Sequence, residues 1–148
     1  MIRIEVSEIV HHPREAAFAA AADPQRQLEW DPDTFKSFEK LTDGPLAQGA
    51  RYRGTFKGFG TVEYEFAEYD PPSRFAHVAR VKPGQMRHTL IFEPAPDGTR
   101  LTQVGELTPN LLGRLIAPMF KRMLAKRFRL IASELDAYLA KSGSTAAQ

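Results

Sequence analysis

Hydrophobic and polar positions alternate strictly where the chain begins. Ile2, Ile4 and Val6 fall on one side and Arg3, Glu5 and Ser7 on the other, the two-residue period of a half-buried strand over Ile2–Val10. The period then changes. Pro13 suits the first turn of a helix, where a missing N–H costs little. The segment Arg14–Ala22 is alanine-rich, with Phe18 as its bulky anchor. Asp23-Pro24 stops this helix and supplies a cap for a second short one through Gln25–Glu29. Six strand-like segments follow, over Lys36–Thr42, Ala50–Lys57, Thr61–Tyr69, Arg74–Val81, Met86–Pro94 and Arg100–Leu107. Turn residues such as Asp43-Gly44-Pro45 and Lys82-Pro83-Gly84 close each of them, which predicts antiparallel hairpins in an up-and-down meander.

The longest periodic stretch is Pro109–Lys141. As a helix, its roughly 30 residues make a rod of about 45 Å, enough to cross a small domain. Leu112, Ile116, Met119, Phe120, Met123, Leu130, Ile131 and Tyr138 recur at three- and four-residue spacings or their multiples and predict one apolar face. Thr108 is placed to cap this helix and Pro109 to fill its first turn. Pro118 removes an internal hydrogen bond, so a kink should separate Leu111–Ala117, read as a lid over one cavity end, from the remainder. One amphipathic helix covers a seven-stranded sheet only if the sheet is strongly curved. The expectation is an α+β domain over residues 1–141, a curved antiparallel sheet wrapped around the C-terminal helix with a cavity between them. Residues 142–148 read as a flexible tail.

Composition narrows the functional classes. The chain has 148 residues, 43% hydrophobic and 26% charged, which suits one domain with a sizeable core. It has no cysteine, so disulfides, thiolate nucleophiles and cysteine metal sites are excluded. A net charge of +2 is too small to argue for nucleic acid as partner. No apolar run reaches membrane-spanning length and charge begins at Arg3, so the expectation is a cytoplasmic protein, monomeric or weakly dimeric. Basic residues Arg114, Lys121, Arg122, Lys126, Arg127 and Arg129 precede the next acid, Glu134. They read as a solvated helix back, with an anionic membrane or a partner protein as the alternative.

Three local patterns resemble a known family. Ile9-Val10-His11-His12-Pro13-Arg14-Glu15-Ala16-Ala17-Phe18 is similar to the opening of START-like (SRPBCC) proteins, the superfamily of the birch-pollen allergens and polyketide cyclase/dehydrases. Asp23-Pro24 with Glu29-Trp30-Asp31-Pro32 resembles its second-helix signature, and Phe92-Glu93-Pro94 with Asp97-Gly98-Thr99-Arg100-Leu101 its late hairpin. The resemblance spans about residues 1–141 and implies the helix-grip fold, with an elongated cavity for lipids, polyketides or other hydrophobic molecules. Some members catalyse cyclisation or dehydration, some transfer lipid and some regulate partner proteins; fold does not choose among these.

No catalytic motif stands out. Gly-x-Ser-x-Gly, His-Glu-x-x-His, a Walker loop and a dinucleotide fingerprint are all absent, and no cofactor or metal is expected. Gly58-Phe59-Gly60 reads as a hairpin turn, and His11-His12 as the turn into a helix rather than a metal site. Several polar residues instead share parity with apolar strand faces: Tyr64 beside Phe66, His77 after Phe75, His88 before Leu90, and Gln103 after Leu101. A few polar groups in an apolar cavity are what ligand sites usually show. His88, His77 and Tyr64 are therefore the candidate acid/base groups. Arg127 falls among Met123, Leu130 and Ile131 and needs a partner, a strand acid or an anionic ligand group. Met119 and Met123 read as an adaptable cavity wall, and Trp30 as the residue that fixes the two short helices. Binding of a small hydrophobic molecule is the leading reading. A polyketide cyclase/aromatase or dehydratase and a non-catalytic partner-binding module are the alternatives.

Overall fold

Turn chemistry and strand parity place the elements where they are found. The computed structural model describes the backbone of residues 1–146 and the side chains of residues 1–142. Strand β1 (Ile2–Val10) leads through helices α1 (Arg14–Ala22) and α2 (Pro24–Trp30) to strands β2 (Phe35–Lys40), β3 (Arg51–Phe56), β4 (Gly60–Asp70), β5 (Arg74–Val81), β6 (Gly84–Ala95) and β7 (Gly98–Pro109). Helices α3 (Leu111–Leu115) and α4 (Ala117–Ala146) complete the chain. The helix α4 thus runs into the 142–148 segment read as a tail, whose last residues lie outside the described ones.

The seven strands form one antiparallel sheet in the order β1-β7-β6-β5-β4-β3-β2. Strands β2 to β7 are the expected meander, and β1 returns to pair with β7, Ile2 opposite Leu107 and Val10 opposite Thr99. Helices α1 and α2 carry the chain from one edge of the sheet to the other. Asp23 caps α2, its side chain accepting from Gln25 N at 2.9 Å. The indole Nε1 of Trp30 donates to Ala20 O at 2.9 Å, which ties α2 to α1 as expected of this residue.

The C-terminal helix departs from expectation in two ways. Pairing of Gly84 with Pro109 keeps Thr108 and Pro109 extended in β7, so Asn110 is the cap instead, its side chain accepting from Gly113 N at 2.9 Å. The helix breaks at Ile116, just ahead of Pro118, which leaves that proline in the first turn of α4 where its missing N–H does no harm. The second departure concerns phase. At about 100° per residue, Phe120, Leu124, Phe128, Ile131 and Leu135 form one stripe and Met119, Met123 and Leu130 another, well over a quarter-turn away. The first stripe is buried and the second exposed. Met119 and Met123 therefore face outward, not into a cavity.

Strand β7 lets the inner stripe come close. A Cβ on Gly105 would lie 2.8 Å from Leu124 Cδ2 and 2.9 Å from Phe128 Cζ, so only glycine admits both side chains at this spacing. At the other end of α4, Asp136 clamps the turn between β1 and α1: it accepts from His11 N at 2.7 Å, and its own carbonyl accepts from His12 Nε2 at 3.1 Å. His11 and His12 hold structure here, as their place in the sequence suggested.

Gly105→Ala should destabilise the fold by roughly 1–3 kcal/mol through overpacking against Leu124 and Phe128. Urea denaturation measures it, and a variant as stable as the parent would show that α4 does not rest on β7 this closely.

Candidate functional site

The inner stripe of α4 does not fill the sheet. Helix α4 lies on β1 and near β7, α1 sets Phe18 against Phe75 of β5 and Phe92 of β6, and α2 and the β3–β4 turn border what is left. The space between is a cavity of about 150 Å³. Its wall is mainly apolar: Val62, Phe75, Leu90, Leu124, Phe128 and Ile131 among others, with Trp30 from α2 and Phe59 from the β3–β4 turn.

Five of the nine candidate ligand residues line this space: Tyr64, His77, His88, Leu90 and Arg127. Strand parity puts the first four there, because inward positions repeat every second residue, and α4 brings Arg127. The other four candidates do not line it. Phe66 is fully buried one layer behind the wall, its ring 4.5 Å from that of His77. Gln103 is fully buried beneath the wall. Met119 and Met123 are exposed for the reason of phase given above. The helix residues that do form the wall, Leu124 and Phe128, lie in a four-residue series with Phe120 that the sequence contains plainly.

Gln103 nevertheless sets the state of His88. Its Nε2 donates to Phe128 O at 2.7 Å, which leaves Oε1 to face His88 Nε2 at 3.1 Å. A carbonyl oxygen accepts, so His88 Nε2 carries the proton and Nδ1 is left as an acceptor. The His88 ring stacks on Phe128, centroids 4.3 Å apart and planes 8° from parallel. His77 sits opposite it across the β5–β6 pair. Burial lowers the pKa of His77 to about 3, with nearby His88 adding to the shift. Burial likewise lowers His88 to about 4; the Gln103 hydrogen bond opposes this and the Arg127 charge assists it. Both are neutral imidazoles near pH 7. Burial, with a smaller contribution from Tyr52, pushes the Tyr64 phenol well above its ordinary value, so it stays an O–H donor.

Arg127 has a partner, and it is not a strand acid. Its Nη2 donates to Oδ2 of Asp31, the fully buried residue that ends α2, and Gln27 Nε2 donates to the same oxygen at 3.2 Å. The partner lies far away in sequence, which is why spacing on the helix did not reveal it. Beside this pair, Glu134 has its pKa raised to about 7, by burial first and by the Asp31 carboxylate next, against the pull of Arg127. Asp31 Oδ1 and Glu134 Oε2 are both buried without a partner, and a proton held by Glu134 and offered to Asp31 would satisfy the two together. Five further polar atoms are buried and unpartnered, Arg14 Nε and Arg74 Nε away from the cavity and three others beside it: Tyr64 Oη, His77 Nε2 and Arg127 Nη1. These last three belong to residues of the cavity wall. The described residues contain no group of three or more side chains suited to a metal ion.

Comparison with known proteins agrees with this architecture. The family described as "Polyketide cyclase / dehydrase and lipid transport" matches residues 1–140. Protein MLL2253 from Mesorhizobium loti superposes with a TM-score of 0.74 at 16% identity, over 94% of this chain and 97% of that one. The protein of unknown function SA2116 from Staphylococcus aureus gives 0.75 at 12% identity, over 97% and 96%. Ara h 8.0201 gives 0.73 at 13%, over 94% and 97%. At these identities the likeness carries the fold alone, the helix grip. No curated protein sequence matches the chain significantly.

Two outcomes follow from the charges. Asp31→Asn strands the Arg127 guanidinium and should cost about 3–5 kcal/mol in urea denaturation, whereas Asp31→Leu combined with Arg127→Met should recover most of that loss. If the double variant is no more stable than the single one, the pair does not act as a unit. The histidines set a pH dependence. Their folded pKa values lie below the ordinary 6.5, so their contribution to stability is present above pH 6.5 and lost as pH falls through about 4. Glu134 runs the other way, its contribution present below about 4.5 and lost as pH rises through about 7. Stability of the parent minus that of His77→Leu/His88→Leu should therefore fall on acidification from pH 6.5. A difference that does not change with pH would mean the imidazoles are not held neutral.

Proposed function

The chain belongs to the polyketide cyclase/dehydrase and lipid transport family, and from that premise we propose that it binds a small, single-ring aromatic molecule bearing a hydrogen-bonding oxygen. The observation that carries this reading is the set of unpartnered polar atoms, Tyr64 Oη, His77 Nε2 and Arg127 Nη1, in a mainly apolar wall. Buried polar groups nearly always have partners, so three orphans around one space favour an occupant that supplies them. Size supports the same reading. An apolar cavity of about 150 Å³ accommodates benzene, and this one has that volume. A phenol or aryl ketone would accept from Tyr64 and Arg127 while its ring rests against Phe75, Phe128 and Leu90.

Binding is favoured over acid–base catalysis by the histidines themselves. A general base works best with a pKa near the operating pH, and those of His77 and His88 lie at about 3 and 4. They are suited to orienting a ligand through neutral nitrogen atoms.

Trp30 lines the cavity and is the single tryptophan, so its fluorescence reports occupancy. Titration with 4-hydroxyacetophenone should give a saturable change. Tyr64→Phe should weaken it roughly 3- to 10-fold, the effect of one neutral hydrogen bond, and Met119→Ser should leave it unchanged. No saturable response, or equal affinity in Tyr64→Phe, would refute the reading.

A further inference from the structure

Helix α3 and the outward stripe of α4 carry apolar side chains that nothing in the fold covers. Leu111 is 75% exposed, Leu115 74% and Met119 64%, and Leu112, Met123 and Leu130 are exposed as well. Six of the eight large apolar side chains exposed among the described residues lie on these two helices, which is a concentration and not ordinary scatter. The placement of α3 is fixed from its inner side. Asn110 Nδ2 donates to Lys82 O at 2.7 Å, and Gly113 is seated so near the Pro83 carbonyl that a Cβ would overlap it. With that edge held to the β5–β6 turn, the leucines of α3 point away from the core.

Charge on the same surface has one sign. No acidic residue occurs between Glu106 and Glu134, while Arg114, Lys121, Arg122, Lys126 and Arg129 are all exposed. None of these five cations makes an ion pair among the described residues, although the sheet's Arg53, Arg74 and Arg87 each have a glutamate. On α4, Lys126 falls in line with Met119, Met123 and Leu130, and Arg122 and Arg129 run along one side of that line. The result is an apolar ridge edged by unpaired positive charge. We propose that this ridge is a docking surface for an anionic lipid bilayer. Leu111, Leu115 and Met119 would enter the boundary between headgroups and acyl chains, and Arg122, Lys126 and Arg129 would meet the phosphates.

The chemistry favours a bilayer over a protein. Contact surfaces between proteins are enriched in aromatic residues and depleted in lysine, whereas this ridge carries Lys126 in line with its apolar side chains and has no exposed aromatic ring. Helices that lie in a membrane surface combine an apolar side with lysine and arginine. No described helix is long and apolar enough to cross a membrane, so contact would be superficial. The ridge is also separate from the cavity, whose wall takes Leu124, Phe128 and Ile131 from the buried stripe of α4. Ligand binding and docking can therefore fail independently.

Co-sedimentation of the full chain with vesicles tests this. Binding is expected to phosphatidylcholine mixed with phosphatidylglycerol, not to phosphatidylcholine alone, and should weaken as salt rises. Each cation near an anionic surface is worth about fivefold, so Arg122→Glu/Arg129→Glu should bind roughly 25-fold more weakly or worse. Leu115→Ser/Met119→Ser should lose roughly tenfold or more through its apolar side chains. Because all four residues are exposed, melting temperature and Trp30 titration should not move. Equal binding to the two vesicles, binding to neither, or indifference to charge reversal would overturn the proposal. So would a dimer in sedimentation velocity that Leu115→Ser/Met119→Ser dissolves, since the ridge would then belong to a second copy of the chain.

Discussion

Everything about the interior follows from how one helix meets a curved sheet. Seven strands curve around α4, but the helix rests on only one side of the concave surface, against β1 and above Gly105 of β7. That glycine lets Leu124 and Phe128 approach the backbone, and the approach commits the helix to that side. Farther along the sheet the helices reach the inward residues only in places, Phe128 of α4 over His88 and Phe18 of α1 over Phe75 and Phe92. The strands' own aromatic side chains fill part of the gap by packing on one another, as Tyr52, Tyr64, Phe66 and Phe75 do. What they do not fill is the cavity. It is the geometric remainder of a helix held off-centre.

The polar residues are arranged around that remainder in two different ways. Asp31 and Arg127 join α2 to α4 across the cavity's wall, and full burial of the carboxylate makes each charge dependent on the other. The wall's histidines have no counter-charge of opposite sign and respond by staying neutral. A site with one compensated ion pair, neutral imidazoles and an un-ionised phenol has little net charge of its own. What polarity it has lies in hydrogen-bonding groups rather than in an unbalanced charge.

Much of this was readable in the residues. The alternation in β1, β4 and β6 placed Tyr64 and His88 on the concave face, and the turn residues of the meander fixed the strand order. Resemblance to START-like proteins then supplied the helix grip, which the family match and the superposed structures bear out. The helix was read less well. With leucine on both sides of α4 and methionine on one, the sequence offers two overlapping apolar periods, and spacing alone joins Met119 and Met123 to Phe120 and Ile131. Only the position of the sheet decides which period is buried. Asp31 could not be matched to Arg127 at all, because the pair is made by folding α2 onto α4 and leaves no trace in local spacing. Gln103 was found by parity but for a different role, since its reach to the Phe128 carbonyl depends on where the helix settles.

The pairing of β1 with β7 bears on how the chain acquires its structure. Ile2 meets Leu107, so β1 has its partner among the described strands in β7, the one of the seven made last. The helix that covers β1 comes later still. During synthesis β1 must wait, with Ile2, Ile4 and Val6 uncovered, while the meander from β2 to β7 is completed beside it. Contacts of such long sequence separation slow folding and lengthen exposure to aggregation. For this architecture the domain cannot be assembled piecewise from β1 onward, and α4, made after all seven strands, is the helix that closes the core.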